Sequence, residues 1–122
     1  MINGACHCGR VTLEAPARAM FTFSCYCSGC RKLSSGGRLL GHGTSIDAVK
    51  VTGDVSTYTY PGESGNDIVL TFCPNCSTQI YAEPKSHPGM AAVRASILDN
   101  EADFTPMQFL HTDGAYAWDK TE

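Results

Sequence analysis

Seven cysteines stand in this 122-residue chain, in three tight groups: Cys6-His7-Cys8, Cys25-Tyr26-Cys27-Ser28-Gly29-Cys30 and Cys73-Pro74-Asn75-Cys76. An odd number cannot be fully paired as disulfides. The start of the chain, Met-Ile-Asn-Gly-Ala-Cys, has neither the basic end nor the apolar stretch of a signal peptide, which places the protein in the cytoplasm. In that reducing compartment, clustered thiols bind metal or do chemistry rather than cross-link. The spacings agree. On an extended chain the two side chains of a C-x-C pair leave the same face, close enough to share one ion. A C-x-x-C turn brings two thiolates to one metal and directs backbone N–H groups at the sulfurs. Cys73–Cys76 follows an apolar run and fits such a knuckle, with Pro74 setting one turn dihedral and Asn75 tolerating a positive φ.

A structural zinc takes four ligands in a tetrahedron, whereas a catalytic zinc keeps a position free. Seven cysteines divide most naturally as four plus three: two pairs close one site, and the contiguous triplet makes an open one. Spacing alone does not decide which pairs combine, since Cys27/Cys30 with Cys73/Cys76 would make an equally legal zinc ribbon. For a single cysteine the plain alternative is a small buried hydrophobe, but three clusters at ligand spacing argue against it for the set. A thioredoxin-like role for Cys73–Cys76 would need a βαβ context that is absent. Iron–sulfur ligation fits C-x-C pairs poorly.

The rest of the chain predicts a single domain over residues 1–122, mainly β. Charged residues make up 17% and the formal charge is −3, with only Arg31-Lys32 adjacent among the basic residues, so nothing points to nucleic acid. No apolar run approaches the length of a membrane span. Strand character lies in Arg10–Glu14, Met20–Cys25, Val49–Thr52, Ser56–Tyr60, Ile68–Phe72, Gln79–Ala82 and Ala91–Leu98. Val11/Leu13, Tyr58/Tyr60 and Ile68/Leu70 each place apolar side chains on one face at a period of two. Gly53-Asp54 predicts a hairpin turn between Val49–Thr52 and the strand after it. Two short helical turns are expected, one over Ser28–Ser34 with Ser28 as N-cap and one over Asp99–Asp103. A thin, loop-rich β fold of this kind benefits from a metal staple.

The three motifs, in the wording Gly4-Ala5-Cys6-His7-Cys8-Gly9-Arg10-Val11, Cys25-Tyr26-Cys27-Ser28-Gly29-Cys30-Arg31-Lys32 and Phe72-Cys73-Pro74-Asn75-Cys76, resemble those of the glutathione-dependent formaldehyde-activating enzyme family and its centromere protein V-like zinc proteins. Gly53 before the Tyr58/Tyr60 strand and Ser96-Ile97-Leu98-Asp99 extend the match over essentially the whole chain. The resemblance implies a β-tent of several short coiled antiparallel sheets stapled by a zinc on Cys6, Cys8, Cys73 and Cys76. It implies a second zinc on Cys25, Cys27 and Cys30, held loosely enough to be only partly occupied. It also implies carbon–sulfur lyase chemistry, in which glutathione or another thiol combines with formaldehyde or a related aldehyde as in an S-(hydroxymethyl)glutathione synthase. Two positions depart from the family pattern: Ser77 stands where a Gly usually follows the late C-x-x-C, and Tyr26 where the central motif often carries His.

On this reading Cys25, Cys27 and Cys30 are the catalytic metal ligands, and the partner is a small-molecule thiol, with neither nucleic acid nor membrane. Glutathione carries two carboxylates, so Arg31 and Lys32, which directly follow Cys30, are the expected substrate-binding residues. Arg38, Arg94 and the Ser34–Gly37 loop rank behind them. His7 should point away from the metal, and His42 and His111 read as structural residues. Tyr116 and Trp118 are expected to cover a hydrophobic face. The readings from other classes are a non-catalytic zinc scaffold or chaperone-like module, and a thiol-based redox sensor in which the triplet oxidises reversibly.

Overall fold

The fold is that of a computed structural model describing residues 1–62, 65–99 and 104–119. Among the described residues, ten strands and one α-helix run in the order β1 (Ile2–Ala5), β2 (Thr12–Ala15), β3 (Phe21–Cys25), α1 (Ser28–Ser34), β4 (Leu39–Ser45), β5 (Lys50–Thr52), β6 (Ser56–Pro61), β7 (Asp67–Phe72), β8 (Gln79–Pro84), β9 (Met90–Arg94) and β10 (Gln108–Leu110). The chain is mainly β. A three-stranded sheet has the order β1-β2-β5 and a seven-stranded sheet the order β10-β3-β4-β9-β8-β7-β6; both are open. Every pairing is antiparallel except that of β10 with β3. No helix among the described residues is long and apolar enough to cross a membrane.

The core lies between the sheets. From β2 and the turn before it come Val11, Leu13 and Ala15, each 2% exposed or less, and they pack with Ile80, Val93, Leu98, Cys6 and Cys73. Fully burying aliphatic side chains of this size contributes roughly 1.5–3 kcal/mol each. The sheets approach closely where Gly4 meets Leu98 in an isolated bridge, and a Cβ on Gly4 would stand 2.7 Å from the Ile97 carbonyl oxygen. The seven-stranded sheet turns a second face away from this core. There the rings of Phe21 and Phe23 lie over Gly43 and Gly41, whose missing side chains leave room for them. Arg94 shares that face, because it pairs with Gly41 while Val93 faces the core.

Most strand expectations hold to within a residue or two, and β1, β4 and β10 join them. The predicted hairpin does not form. β5 pairs with β2 in the small sheet and β6 with β7 in the large one, so Gly53 marks a crossing between sheets. Its φ of +110° and the Arg10 carbonyl oxygen 2.3 Å from a would-be Cβ explain why glycine stands there. Helix α1 forms where expected, but its N-cap is Cys27, whose sulfur accepts the Cys30 N–H, and not Ser28. The strand expected over Ala91–Leu98 ends at Arg94 and becomes a 3-10 turn over Ala95–Ile97. The turn expected over Asp99–Asp103 lies, beyond Asp99, outside the described residues.

Gly53→Ala combines backbone strain with a main-chain clash. Strain of this kind costs about 1–3 kcal/mol, so the urea midpoint should fall correspondingly with the slope unchanged. A midpoint equal to that of the parent would refute the crossing geometry as the reason for this glycine.

Candidate metal centre

Cys6 and Cys8 follow β1 of the small sheet, while Cys73 and Cys76 follow β7 of the large one, and the fold brings the four sulfurs within 4.8 Å of one another. Cys6 Sγ lies 3.6 Å from Cys8 Sγ, and Cys8 Sγ lies 3.8 Å from Cys73 Sγ. A tetrahedral zinc with Zn–S bonds of about 2.3 Å requires sulfurs about 3.8 Å apart, so the donor set fits zinc. Backbone amides are aimed at the sulfurs: Val11 N–H to Cys6 at 3.3 Å and Cys76 N–H to Cys73 at 3.5 Å. Thr78 finishes the outer layer. Its hydroxyl accepts the His7 N–H at 3.1 Å and lies 3.2 Å from Cys76 Sγ, within hydrogen-bond reach. That hydroxyl, with the Thr78 N–H, holds the Cys76 thiol down at about 5. The His7 side chain is exposed, in keeping with a residue between two ligands. Ser77 adopts φ +64°, a left-handed conformation in which glycine carries no side-chain penalty.

Cys25, Cys27 and Cys30 form the second cluster, again with sulfurs within 4.8 Å. Cys25 ends β3, Cys27 caps α1, and Cys30 lies in the first turn of that helix. The N–H of Cys30 donates to Cys27 Sγ at 3.3 Å. A hydrogen bond from the Cys30 thiol, helped by the Cys27 N–H, draws Cys25 down to about 6, while the same contact and burial push Cys30 well up. Such a set gives up its protons one after another. A divalent ion would displace all three.

Around the triplet the predicted residues separate. Arg31 is engaged: its Nε donates to the Tyr26 carbonyl at 3.2 Å and its guanidinium lies 4.8 Å from the Tyr116 ring centroid. Lys32 is exposed. Arg38 pairs with Asp119 and stacks on the Tyr26 ring at 4.7 Å. Tyr26 itself is 1% exposed, its hydroxyl buried without a hydrogen-bond partner among the described residues, so it serves packing. His42 is structural, with Nε2 2.9 Å from the Pro16 carbonyl oxygen. His111 is different. It is exposed and follows directly on Leu110, which pairs with Cys25. Trp118 does not cover a core; it is 78% exposed, stacked on Tyr116 and close to Gly37. Thr78 and Gln79 went unsuspected in the sequence, where only their place directly after the C-x-x-C turn could have drawn attention. Gln79 Nε2 donates to the Leu33 carbonyl of α1 at 2.7 Å, and Arg94 Nε donates to Gln79 Oε1 at 2.9 Å.

A mainly β scaffold with one four-sulfur and one three-sulfur cluster, each of which could hold a metal ion, is thus the class of protein this chain forms. The model of the family "glutathione-dependent formaldehyde-activating enzyme" matches residues 1–113. The chain belongs to that family. Its fold is also similar to the crystal structure of a Rhodobacter sphaeroides protein, at 22% identity and a TM-score of 0.69, over 88% of this chain and 98% of the other.

The contact between Thr78 and Cys76 predicts an acid response. A thiol held low resists protons competing with metal, so removing the hydroxyl in Thr78→Val raises that thiol's pKa and lets acid expel the ion sooner. Losing one hydrogen bond to a charged group moves its pKa by about one unit; spread over the protons taken up on release, the midpoint should rise by roughly 0.3 pH unit. The cobalt–thiolate absorption followed against pH reads this directly, and an unmoved or lowered midpoint contradicts it.

Proposed function

We propose that this protein is a zinc-dependent enzyme of the carbon–sulfur lyase type, which joins a thiol, with glutathione as the first candidate, to formaldehyde or a related aldehyde. The observation that carries the reading is the separate triplet of sulfurs beside a complete set of four. Purely structural zinc would need only the set of four. Cys6, Cys8, Cys73 and Cys76 would hold the structural ion, and Cys25, Cys27 and Cys30 the second. Zinc bound at the triplet supplies a Lewis acid and a docking point for sulfur or a carbonyl oxygen.

In the reaction the thiol sulfur forms a bond to the aldehyde carbon, the C=O double bond becomes single, and the thiol proton ends on the oxygen. His111, exposed and next in sequence to the residue that pairs with Cys25, would be the group to take up and return that proton. With Arg31 engaged by Tyr26 and Tyr116, exposed Lys32 is the freer cation for a substrate carboxylate, and Arg31 keeps the helix that carries Cys30 against the C-terminal segment. Thiolate ligands need a reducing environment, which supports a cytoplasmic setting, and the 122 residues would act as one domain.

The zinc form should carry two metal equivalents and accelerate the exchange of glutathione and ¹³C-formaldehyde with their adduct, measured by NMR. Cys27→Ser should lower metal content toward one equivalent and remove the acceleration while the closed-site absorption of the cobalt form persists. A zinc-loaded protein no faster than the spontaneous reaction would sink the named activity.

A further inference from the structure

Arg94, the last residue of β9, is 6% exposed. Its hydrogen bonds go to neutral acceptors: Nε to Gln79 Oε1 at 2.9 Å and Nη1 to the Ala92 carbonyl at 3.5 Å. The ion pairs among the described residues join Arg38 to Asp119 and Lys85 to Glu83, so no carboxylate there pairs with Arg94. A buried guanidinium is costly unless negative charge faces it. Negative charge of that kind arises at the open triplet when its three thiols lose their protons to a bound metal ion. Arg94 pairs with Gly41, Gly41 with Phe23 and Leu39 with Cys25, which sets Arg94 and Cys25 on one sheet face, two strands apart and offset along β4 by two residues. Gln79 also grips the Leu33 carbonyl at 2.7 Å, in the helix that carries Cys30, and so fixes the guanidinium relative to α1. Burial weighs most on the Arg94 guanidinium, and the groups that offset it are Tyr60 first, then Cys30 and Cys25.

We propose that Arg94, with Gln79 as its positioning residue, is the counter-charge of the metal-loaded triplet and selects an anionic thiolate over a neutral ligand at the open position. The inference rests on the reading of the triplet as a metal site for a thiol. Three thiolates around a divalent ion leave one net negative charge, which repels a further anion. The guanidinium cancels that charge, and at protein-interior separations its removal should weaken anion binding by about 10- to 100-fold.

Full-length protein loaded with cobalt tests this, with 2-mercaptoethanol as the thiolate probe and imidazole as the neutral one, both followed in the visible cobalt bands. In Arg94→Met, thiol affinity should fall at least about tenfold while imidazole affinity stays within about twofold. Arg94→Lys should restore most of the thiol affinity, and Gln79→Leu, which keeps the cation but frees it, should give an intermediate loss. If Arg94→Met loses the closed-site cobalt bands, the Lys and Leu variants decide the matter by the same ratio. Equal thiol affinity in parent and variants overturns the inference, as does a parallel loss for both ligands, which would mark a merely structural arginine. A parent protein that takes up one cobalt, or two without responding to thiol, overturns instead the reading of the triplet on which the inference stands.

Discussion

The closed cluster is where the two sheets are joined, and most of the molecule depends on it. Two of its sulfurs arrive from the end of β1 in the small sheet and two from the end of β7 in the large one. Cys6 and Cys73 are themselves members of the core, 4% and 1% exposed. A metal bound there would be a cross-link between sheets that otherwise meet through a thin layer of Val, Leu, Ile and Ala side chains. In a domain of this size, free energy of metal binding is folding free energy, because the unfolded chain has no preformed site.

The open triplet is built differently. Its three sulfurs lie on contiguous chain, where β3 turns into α1, so forming it needs only a local turn. What the tertiary structure adds is its surroundings. Thr78 braces Cys76 of the closed cluster, and the next residue, Gln79, reaches α1 and Arg94. One short stretch thus touches the outer layer of both centres. Order at the first site would carry to the second through main-chain continuity, with one part-buried hydrogen bond tying Gln79 to the helix and another tying it to Arg94.

How far the sequence could be read depended on the range of the interaction. The C-x-C and C-x-x-C spacings express geometry within a few residues, and the sulfurs do converge in the two sets that the family resemblance implied. The period-two pattern marked β2 because one of its faces lies on the core. The hairpin around Gly53 failed for a long-range reason. The turn signal was genuine, but the partner of β5 is β2, far back in the chain, and the close approach to Arg10 that demands glycine cannot be seen locally. Ser28 lost the cap to Cys27 because a sulfur already placed by the cluster accepts the Cys30 N–H first.

By itself, then, the sequence determined that seven thiols stand at metal-ligand spacing in a mainly β chain, since spacing and periodicity are local and survive without a fold. Only the tertiary structure decided which sulfurs share a site, because Cys6/Cys8 and Cys73/Cys76 are some 65 residues apart and meet solely through the packing of two sheets. It also separated cations of identical chemistry. Arg31 went to an aromatic ring, Arg38 to Asp119, and Arg94 inward to Gln79, according to where the strands and helix that carry them lie. Charge is written in the residue, but what it faces is set by burial and register.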